Sequence, residues 1–181
     1  MSQALHEPFE CEVGRCRFWH WRELSQLIQQ MFPEDFGDHN TGWFIRNHAD
    51  DILLVVRNRR LVGFAAWGEN ENSDAAWLLY LGVQKNMRGQ GLGAKLLKCF
   101  ENTAAKRGYR AVGLSVLHEN DKAQQFYETY GYEMITRDDS RVMFEKPIDF
   151  GCKSLECTSS CCEPPPSGYS FLKKVWLKIS L

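Results

Sequence analysis

The stretch that most limits what this chain can become runs from Ala75 to Arg107. An uncharged apolar run, AAWLLYLGV over Ala75–Val83, passes into a loop with glycine at 89, 91 and 93, and then into AKLLKCFENTAAKR over Ala94–Arg107. The first run reads as a buried strand and the last as an amphipathic helix, with Leu96, Leu97, Phe100 and Ala104 on one face and Gly108 placed to end it. The loop, V-Q-K-N-M-R-G-Q-G-L-G over Val83–Gly93, is built of residues that let backbone N–H groups come close to a ligand at positive φ. The helix that follows adds unpaired N–H donors and the positive end of its dipole. Together they make a cradle for a pyrophosphate. Lys85 and Arg88 bring cations to its rim, and an Arg can grip phosphate through two donors at once. The spacing is neither a Walker loop, which needs Gly-Lys-Ser/Thr, nor G-x-G-x-x-G. The same residues would also serve as a plain turn from strand to helix.

The rest of the chain alternates in period. Cys11–Phe18 mixes polar and apolar residues at strand spacing. Trp21–Met31 places Trp21, Leu24, Leu27, Ile28 and Met31 at intervals of three and four, which predicts a helix that Pro33 ends. Thr41–His48 reads as a second, short helix. Asp51–Arg57 and Leu61–Trp67 read as apolar strands joined by a hairpin at Asn58-Arg59-Arg60. With Ala75–Val83 they form a three-strand meander. Downstream, Ala111–Leu117 is a strand, and Asp121–Tyr130 is a helix capped by Asn120 and ended by Gly131. Tyr132–Arg137 and Arg141–Lys146 form a last hairpin. A single compact domain over 1–148 fits this order, with no internal repeat.

Two motifs, about thirty residues apart, carry a resemblance to a known family. One is Arg88-Gly89-Gln90-Gly91-Leu92-Gly93 after a strand ending in Val83. The other is Asn120-x-x-Ala123-x-x-Phe126-Tyr127-x-x-x-Gly131-Tyr132. Over roughly Phe9 to Ile148 the chain resembles the GNAT superfamily of acetyl-CoA-dependent N-acetyltransferases. The resemblance implies an α+β sandwich: a mixed, mostly antiparallel central sheet flanked by helices and splayed between the fourth and fifth strands, here Ala75–Val83 and Ala111–Leu117. It implies acetyl-CoA as cosubstrate, held by Leu81, Gly82, Val83, Arg88, Gly89, Gln90, Gly91, Leu92, Gly93, Asn120, Ala123 and Tyr127, with no metal. Gly82 is a candidate bulge in its strand. The implied chemistry is direct attack of a primary amine, on a small molecule or a peptide, upon the thioester, with Tyr127 as the catalytic acid for the leaving thiolate. On residues alone Tyr127 reads equally as a core aromatic, and Asn120 as a helix cap.

The general base is not named by the sequence. Family members often carry a Glu on the strand that corresponds to Asp74–Val83, and this chain has none there. Asp74, Glu69 and Glu71 stand at or before the start of that strand, and His118 lies just past the strand Ala111–Leu117, where it also reads as an ordinary solvated or structural strand end. The acceptor side is expected from Phe18–Trp43 and the hairpin Arg137–Arg141, where Glu34, Asp35 and Asp38 form an acidic cluster. The missing Glu also leaves room for a different class, an acyl-CoA-binding sensor without catalysis.

Composition closes off other classes. Lys+Arg is 22 against Asp+Glu 23, so no strongly basic face for nucleic acid is expected. No run is long and apolar enough to cross a membrane, and no leader is evident at the start, which together predict a cytoplasmic protein. A homodimer is left open. After the domain, 149–168 is a Cys/Pro-rich linker or appendage, and 169–181 is an amphipathic segment expected to dock. Four of the seven cysteines, Cys152, Cys157, Cys161 and Cys162, lie in that linker. They read as reduced bystanders ahead of a soft-metal or redox site. Cys11, Cys16 and Cys99 read as ordinary core or half-buried thiols.

Overall fold

The structure, a computed structural model, describes residues 10–13, 16–36, 40–69 and 74–148. The expectations for Glu71, Asp38 and the segments 149–168 and 169–181, with their four cysteines, lie outside the described residues.

Seven strands form one sheet in the order β1-β2-β3-β4-β5-β7-β6. They are β1 (Glu10–Val13), β2 (Ile52–Arg57), β3 (Arg60–Glu69), β4 (Ala75–Val83), β5 (Ala111–Leu117), β6 (Glu133–Arg137) and β7 (Arg141–Pro147). Every neighbouring pair is antiparallel except β4 and β5. Helices α1 (Trp21–Met31) and α2 (Asn40–His48) cover one face; α3 (Leu92–Lys106) and α4 (Asp121–Thr129) cover the other. The expected α+β sandwich with a mixed, mostly antiparallel sheet is the fold observed.

Each face has its own core because strand side chains alternate. Leu78, Leu81, Val83, Leu114 and Val116 pack with Leu96, Leu97 and Phe100 of α3 and with Tyr127 of α4. Leu79, Tyr80, Phe64 and Leu54 pack with Leu24, Leu27 and Ile28 of α1 and Phe44 and Ile45 of α2. Glu23 ties α1 to the sheet by accepting the Leu61 N–H at 2.8 Å. The β2–β3 hairpin turns on Asn58 and Arg59, at φ 51° and 60°, the paired left-handed conformation of a two-residue hairpin. The expected first strand, Cys11–Phe18, is met over Cys11–Val13, the strand beginning one residue earlier at Glu10; among the described residues that follow, Cys16 and Arg17 are not strand and Phe18–His20 is a 3-10 turn leading into α1.

Among the described residues, no helix is long and apolar enough to cross a membrane.

Candidate active site

β4 and β5 begin as an ordinary parallel pair, Ala75 opposite Ala111 through Leu78 opposite Leu114, and then part. Two features divide them there. First, β4 shifts register on β3 between Ala66 and Trp67, so that Leu78 pairs with Trp67, Tyr80 pairs with Ala66, and Leu79 is the extra residue. Such a bulge bends a strand away from its neighbour. Second, β5 keeps all seven residues paired to β7, from Ala111–Pro147 to Leu117–Arg141, and so follows β7 rather than β4. The result is a gap walled by Leu79–Val83 on one side and Ser115–Leu117 on the other.

The bulge falls at Leu79 and not at Gly82, where the glycine had suggested it. Gly82 has another duty: a Cβ there would stand 2.4 Å from Met31 Sδ and 3.3 Å from the Phe32 ring, so its bareness admits the end of α1 against the sheet. Nor does its backbone face the gap. Gln84 N–H bonds the Val62 carbonyl at 2.8 Å, so strand alternation turns Gln84, Gly82 and Tyr80 toward β3. Leu81 and Val83 are the residues whose N–H and C=O groups point into the gap. The Val83 carbonyl already accepts Arg88 Nε at 3.1 Å.

Beyond Val83 the chain makes a 3-10 turn at Lys85–Met87 and reaches Gly89 and Gly91 at φ 74° and 75°. A Cβ at either would meet no atom within 4 Å, so the glycines serve conformation and access rather than packing. Gly91 is the N-cap of α3 and has no side chain to cap with; the first helical bond is Lys95 N–H to the Gly91 carbonyl at 3.0 Å. The N–H groups of Leu92, Gly93 and Ala94 therefore stand at the helix start without helical partners. They open on a cleft of about 300 Å³ lined by Val83, Arg88, Gly89, Gly91, Gly93 and, from α4, Lys122, Phe126 and Tyr130. Leu92 faces the core, so its share in the cleft wall rests mainly on its backbone.

The α4 contribution differs from the motif reading. Asn120 caps α4, accepting the Ala123 N–H at 3.2 Å, and Ala123 itself is wholly buried. Lys122 and Phe126 of α4 and Tyr130, the residue that caps its end, line the cleft at a four-residue spacing that the sequence displayed and the motif drew attention away from. Tyr127 is not among the residues that line this cleft and is packed in the core. It has no exposed surface, its ring meets Phe126 and Tyr132 edge-on, and its hydroxyl has no hydrogen-bond partner among the described residues. Burial holds that phenol far above its ordinary range. Arg57 is a further residue that the sequence did not single out: from the β2–β3 hairpin it donates to Gln90 Oε1 in the glycine loop, and to Met87 Sδ at 3.8 Å.

The sequence candidates for a base are dispersed. Asp74 stands at the closed end of the β4–β5 pair, five residues and roughly 15 Å of strand from Leu79. Glu69 accepts the Tyr109 hydroxyl at 2.7 Å. His118 Nε2 is held by Arg137 beside the β6–β7 turn. On the acceptor face, Tyr80 is buried among Phe32, Phe36 and Phe44 at ring separations of 5.0–5.3 Å. Burial first, and then the nearby Asp35 carboxylate, raise its phenol, while Arg141 works in the opposite direction. The Arg141 guanidinium, 8% exposed, donates to Ser115 Oγ at 3.3 Å. Asp35 thus has a cation beside it, and the expected acidic cluster is in part neutralised. The turn after α1 and the start of β7, the two regions expected to receive the acceptor, do converge on β4 here. Away from the site, Cys16 is buried, which pushes its thiol up to about 11, and Cys99 is half-buried.

Comparison with known proteins agrees with this geometry. The chain is similar to N-alpha-acetyltransferase 30 of Schizosaccharomyces pombe, 23% identical over 114 residues that cover 61% of this chain and 76% of that protein. Its fold superposes on an aminoglycoside 6'-N-acetyltransferase complexed with coenzyme A at a TM-score of 0.66, with 19% identity over 77% of this chain and 97% of that one. It also superposes on Arabidopsis thaliana Naa50 in complex with the bisubstrate analogue CoA-Ac-MVNAL at 0.61, with 22% identity over 76% and 97%. At these identities the two structures speak for the fold. The model of the acetyltransferase (GNAT) family matches residues 15–132, well over half of the sequence, and the chain belongs to that family.

Proposed function

We propose that the protein transfers the acetyl group of acetyl-CoA to a primary amine of a small molecule or peptide. The observation that carries this reading is the parting of β4 from β5 directly beside an uncapped helix start and a glycine loop. Acetyl-CoA fits what is present. Gly89 and Gly91 leave open space where side chains would stand, and Arg88 and Lys122 bring positive charge to the cleft. The backbone edge at Leu81 and Val83 suits the amides of a pantetheine arm. The Tyr127 hydroxyl, buried and without a hydrogen-bond partner among the described residues, leaves a donor that the fold itself does not use.

The loop N–H groups would hold the pyrophosphate while the Leu81 edge orients the arm and polarises the acetyl carbonyl. The acceptor, entering between the turn after α1 and the start of β7, attacks the carbonyl carbon as a neutral amine. As the C–S bond breaks, the thiolate takes the Tyr127 proton. A phenol that burial keeps protonated at every physiological pH is loaded for that step. The relatives fall on both sides of the acceptor question, one named for aminoglycosides and one bound to a peptide analogue.

Release of free thiol from acetyl-CoA with a panel of aminoglycosides, polyamines and short peptides tests the reading. Turnover on at least one amine is expected, together with weakened acetyl-CoA binding in Arg88→Ala and Gly91→Glu. Tight acetyl-CoA binding with no turnover on any amine would leave a binding module instead of an enzyme.

A further inference from the structure

Among the described residues, no helix covers one half of one sheet face. The core beneath α1 and α2 takes residues from β2, β3 and β4 and none from β5, β6 or β7. The opposite side of those three strands is covered, since Leu114, Val142 and Phe144 belong to the core under α3 and α4. Pairing fixes what the open side presents. Trp77, Gly113, Glu145 and Glu133 stand opposite one another across β4, β5, β7 and β6 and so form one row on one face. The Trp77 indole lies against Gly113, where a Cβ would stand 2.9 Å from it. The next row is Ser115, Met143 and Thr136, with Ile135 the extra residue where β6 shifts on β7.

This face is apolar and acidic at once. Ile135 is 53% exposed, and Trp77 and Met143 are half-buried, so apolar surface stands open to water. Glu133 and Glu145 are directly opposite each other, a placement in which like charges destabilise a sheet. Neither has an ion-pair partner among the described residues. Lys146, the next residue along β7, gives no relief. Alternation turns it to the other face, where its ammonium is 2.8 Å from the buried Glu101 of α3.

The rest of the chain supplies the complement. Residues 149–181 follow Ile148, whose N–H bonds the Arg110 carbonyl at 3.0 Å three residues beyond Glu145, at the same end of the sheet. Within them 169–181 reads YSFLKKVWLKISL. Phe171, Leu172, Val175, Trp176 and Ile179 recur at helical spacing, beside Lys173, Lys174 and Lys178 and no Asp or Glu. The intervening 149–168 can span up to about 70 Å, while Glu145 is only about 10 Å of strand from Ile148. A segment on the same chain also reaches the face without the association cost that a separate partner bears. We propose that 169–181 lies on the open face of β4, β5, β7 and β6, its apolar residues against Trp77, Met143 and Ile135 and its lysines beside Glu133 and Glu145. Ser115 shares a row with Met143, so the segment lies next to the gap between β4 and β5. This placement holds whatever acceptor the protein uses.

Two methionines report on the two faces. Met143 is on the open one; Met134, opposite Phe144 and 57% exposed, is on the other. Peroxide oxidation of the full chain, followed at each methionine by mass spectrometry, reads their access to solvent. Replacing both Val175→Asp and Trp176→Asp should speed Met143 oxidation about tenfold, the ratio of covered to open states for a modest local contact. Met134 should keep its rate. Glu133→Lys with Glu145→Lys should expose Met143 in the same way. Adding Lys173→Glu, Lys174→Glu and Lys178→Glu to that chain should restore protection, which a fold merely loosened by substitution would not do. An unchanged Met143 rate in the Val175→Asp, Trp176→Asp chain would overturn the placement, and so would a failure of the exchanged charges to restore protection. Protection in the wild-type chain that fades on dilution would also overturn it, because a second copy would then be the cover.

Discussion

Removing one oxygen, by Tyr127→Phe, should make the protein more stable and much less active. The hydroxyl is fully buried and has no partner among the described residues. A donor in that state costs about 1–3 kcal/mol relative to water. Phe keeps the ring, and with it the contacts to Phe126 and Tyr132. The void left by one oxygen, on the order of 10 Å³, returns only about 0.2 kcal/mol of penalty. The net gain is therefore about 1 kcal/mol or more, which raises Tm by about 2–4 °C per kcal/mol in a chain of this size. Turnover should fall 10²–10⁴-fold if no other group protonates the thiolate. Acetyl-CoA affinity should stay within about threefold, because the phosphate contacts lie elsewhere. Scanning calorimetry without ligand, steady-state thiol release and calorimetric titration give the three numbers. A lower Tm would mean the hydroxyl is satisfied in the resting protein, and the physical case for its waiting on a ligand would collapse.

Two other perturbations test the frame around the site. A Cβ at Gly113 would stand 2.9–3.2 Å from three atoms of the Trp77 indole, one rung before the strands part. Gly113→Ala should cost about 1–3 kcal/mol by overpacking. Adding Trp77→Leu should recover part of it in a double-mutant cycle, and strict additivity would contradict the contact. His48 is buried against Phe44, and burial lowers its pKa although Asp51 and a Trp67 backbone bond oppose the shift. The unfolded chain thus binds a proton there more readily than the folded one. Stability is full above the ordinary histidine value near 6.5 and declines as pH falls below it. The urea midpoint should drop between about pH 7 and pH 5, and His48→Gln should flatten that slope; an unchanged slope would assign it to other groups.

Elements bounded by strong punctuation were legible before the structure. Trp21–Met31, Ala75–Val83 and Ala111–Leu117 have the same limits in both readings, because apolar period and turn residues agree there. Cys11–Phe18 was right over Cys11–Val13 and ran too far at its other end, because its mixed pattern carries no stop signal before the 3-10 turn at Phe18. The glycine loop was legible because positive φ has a residue signature; the bulge was not, because register belongs to the β3–β4 pair and Leu79 carries no mark of it. Gly82 misled for a related reason: a glycine records a close approach without saying whether a ligand or Met31 makes it. Glu101 stayed hidden because its partner Lys146 is 45 residues away, and Arg57 because Gln90 is 33 away. Local pattern thus located the cradle, while the groups brought to it by tertiary contact had to be seen.

The parting of the strands also makes a prediction at single-residue resolution. Gln84, Gly82 and Tyr80 direct their N–H groups to β3, and Leu81 and Val83 direct theirs into the gap. Tyr80, Leu81, Gly82 and Val83 belong to one strand and all four are buried, so burial alone would give them similar hydrogen exchange. The ladder says otherwise: Leu81 and Val83 amides should exchange faster than Gly82 and Tyr80 in the ligand-free protein. Coenzyme A should then slow Leu81 and Val83 by at least about tenfold, since a ligand bond removes local opening. A ligand that only stabilised the domain as a whole would act through RT ln(1 + [L]/Kd), and would slow just the amides that exchange by global unfolding. The two cases separate cleanly, because Gly82 and Tyr80 are controls one residue away on the same strand. Equal slowing at all four, or none at Leu81 and Val83, would mean that the coenzyme does not use the open edge of β4, and the role given to the parted strands would have to be abandoned.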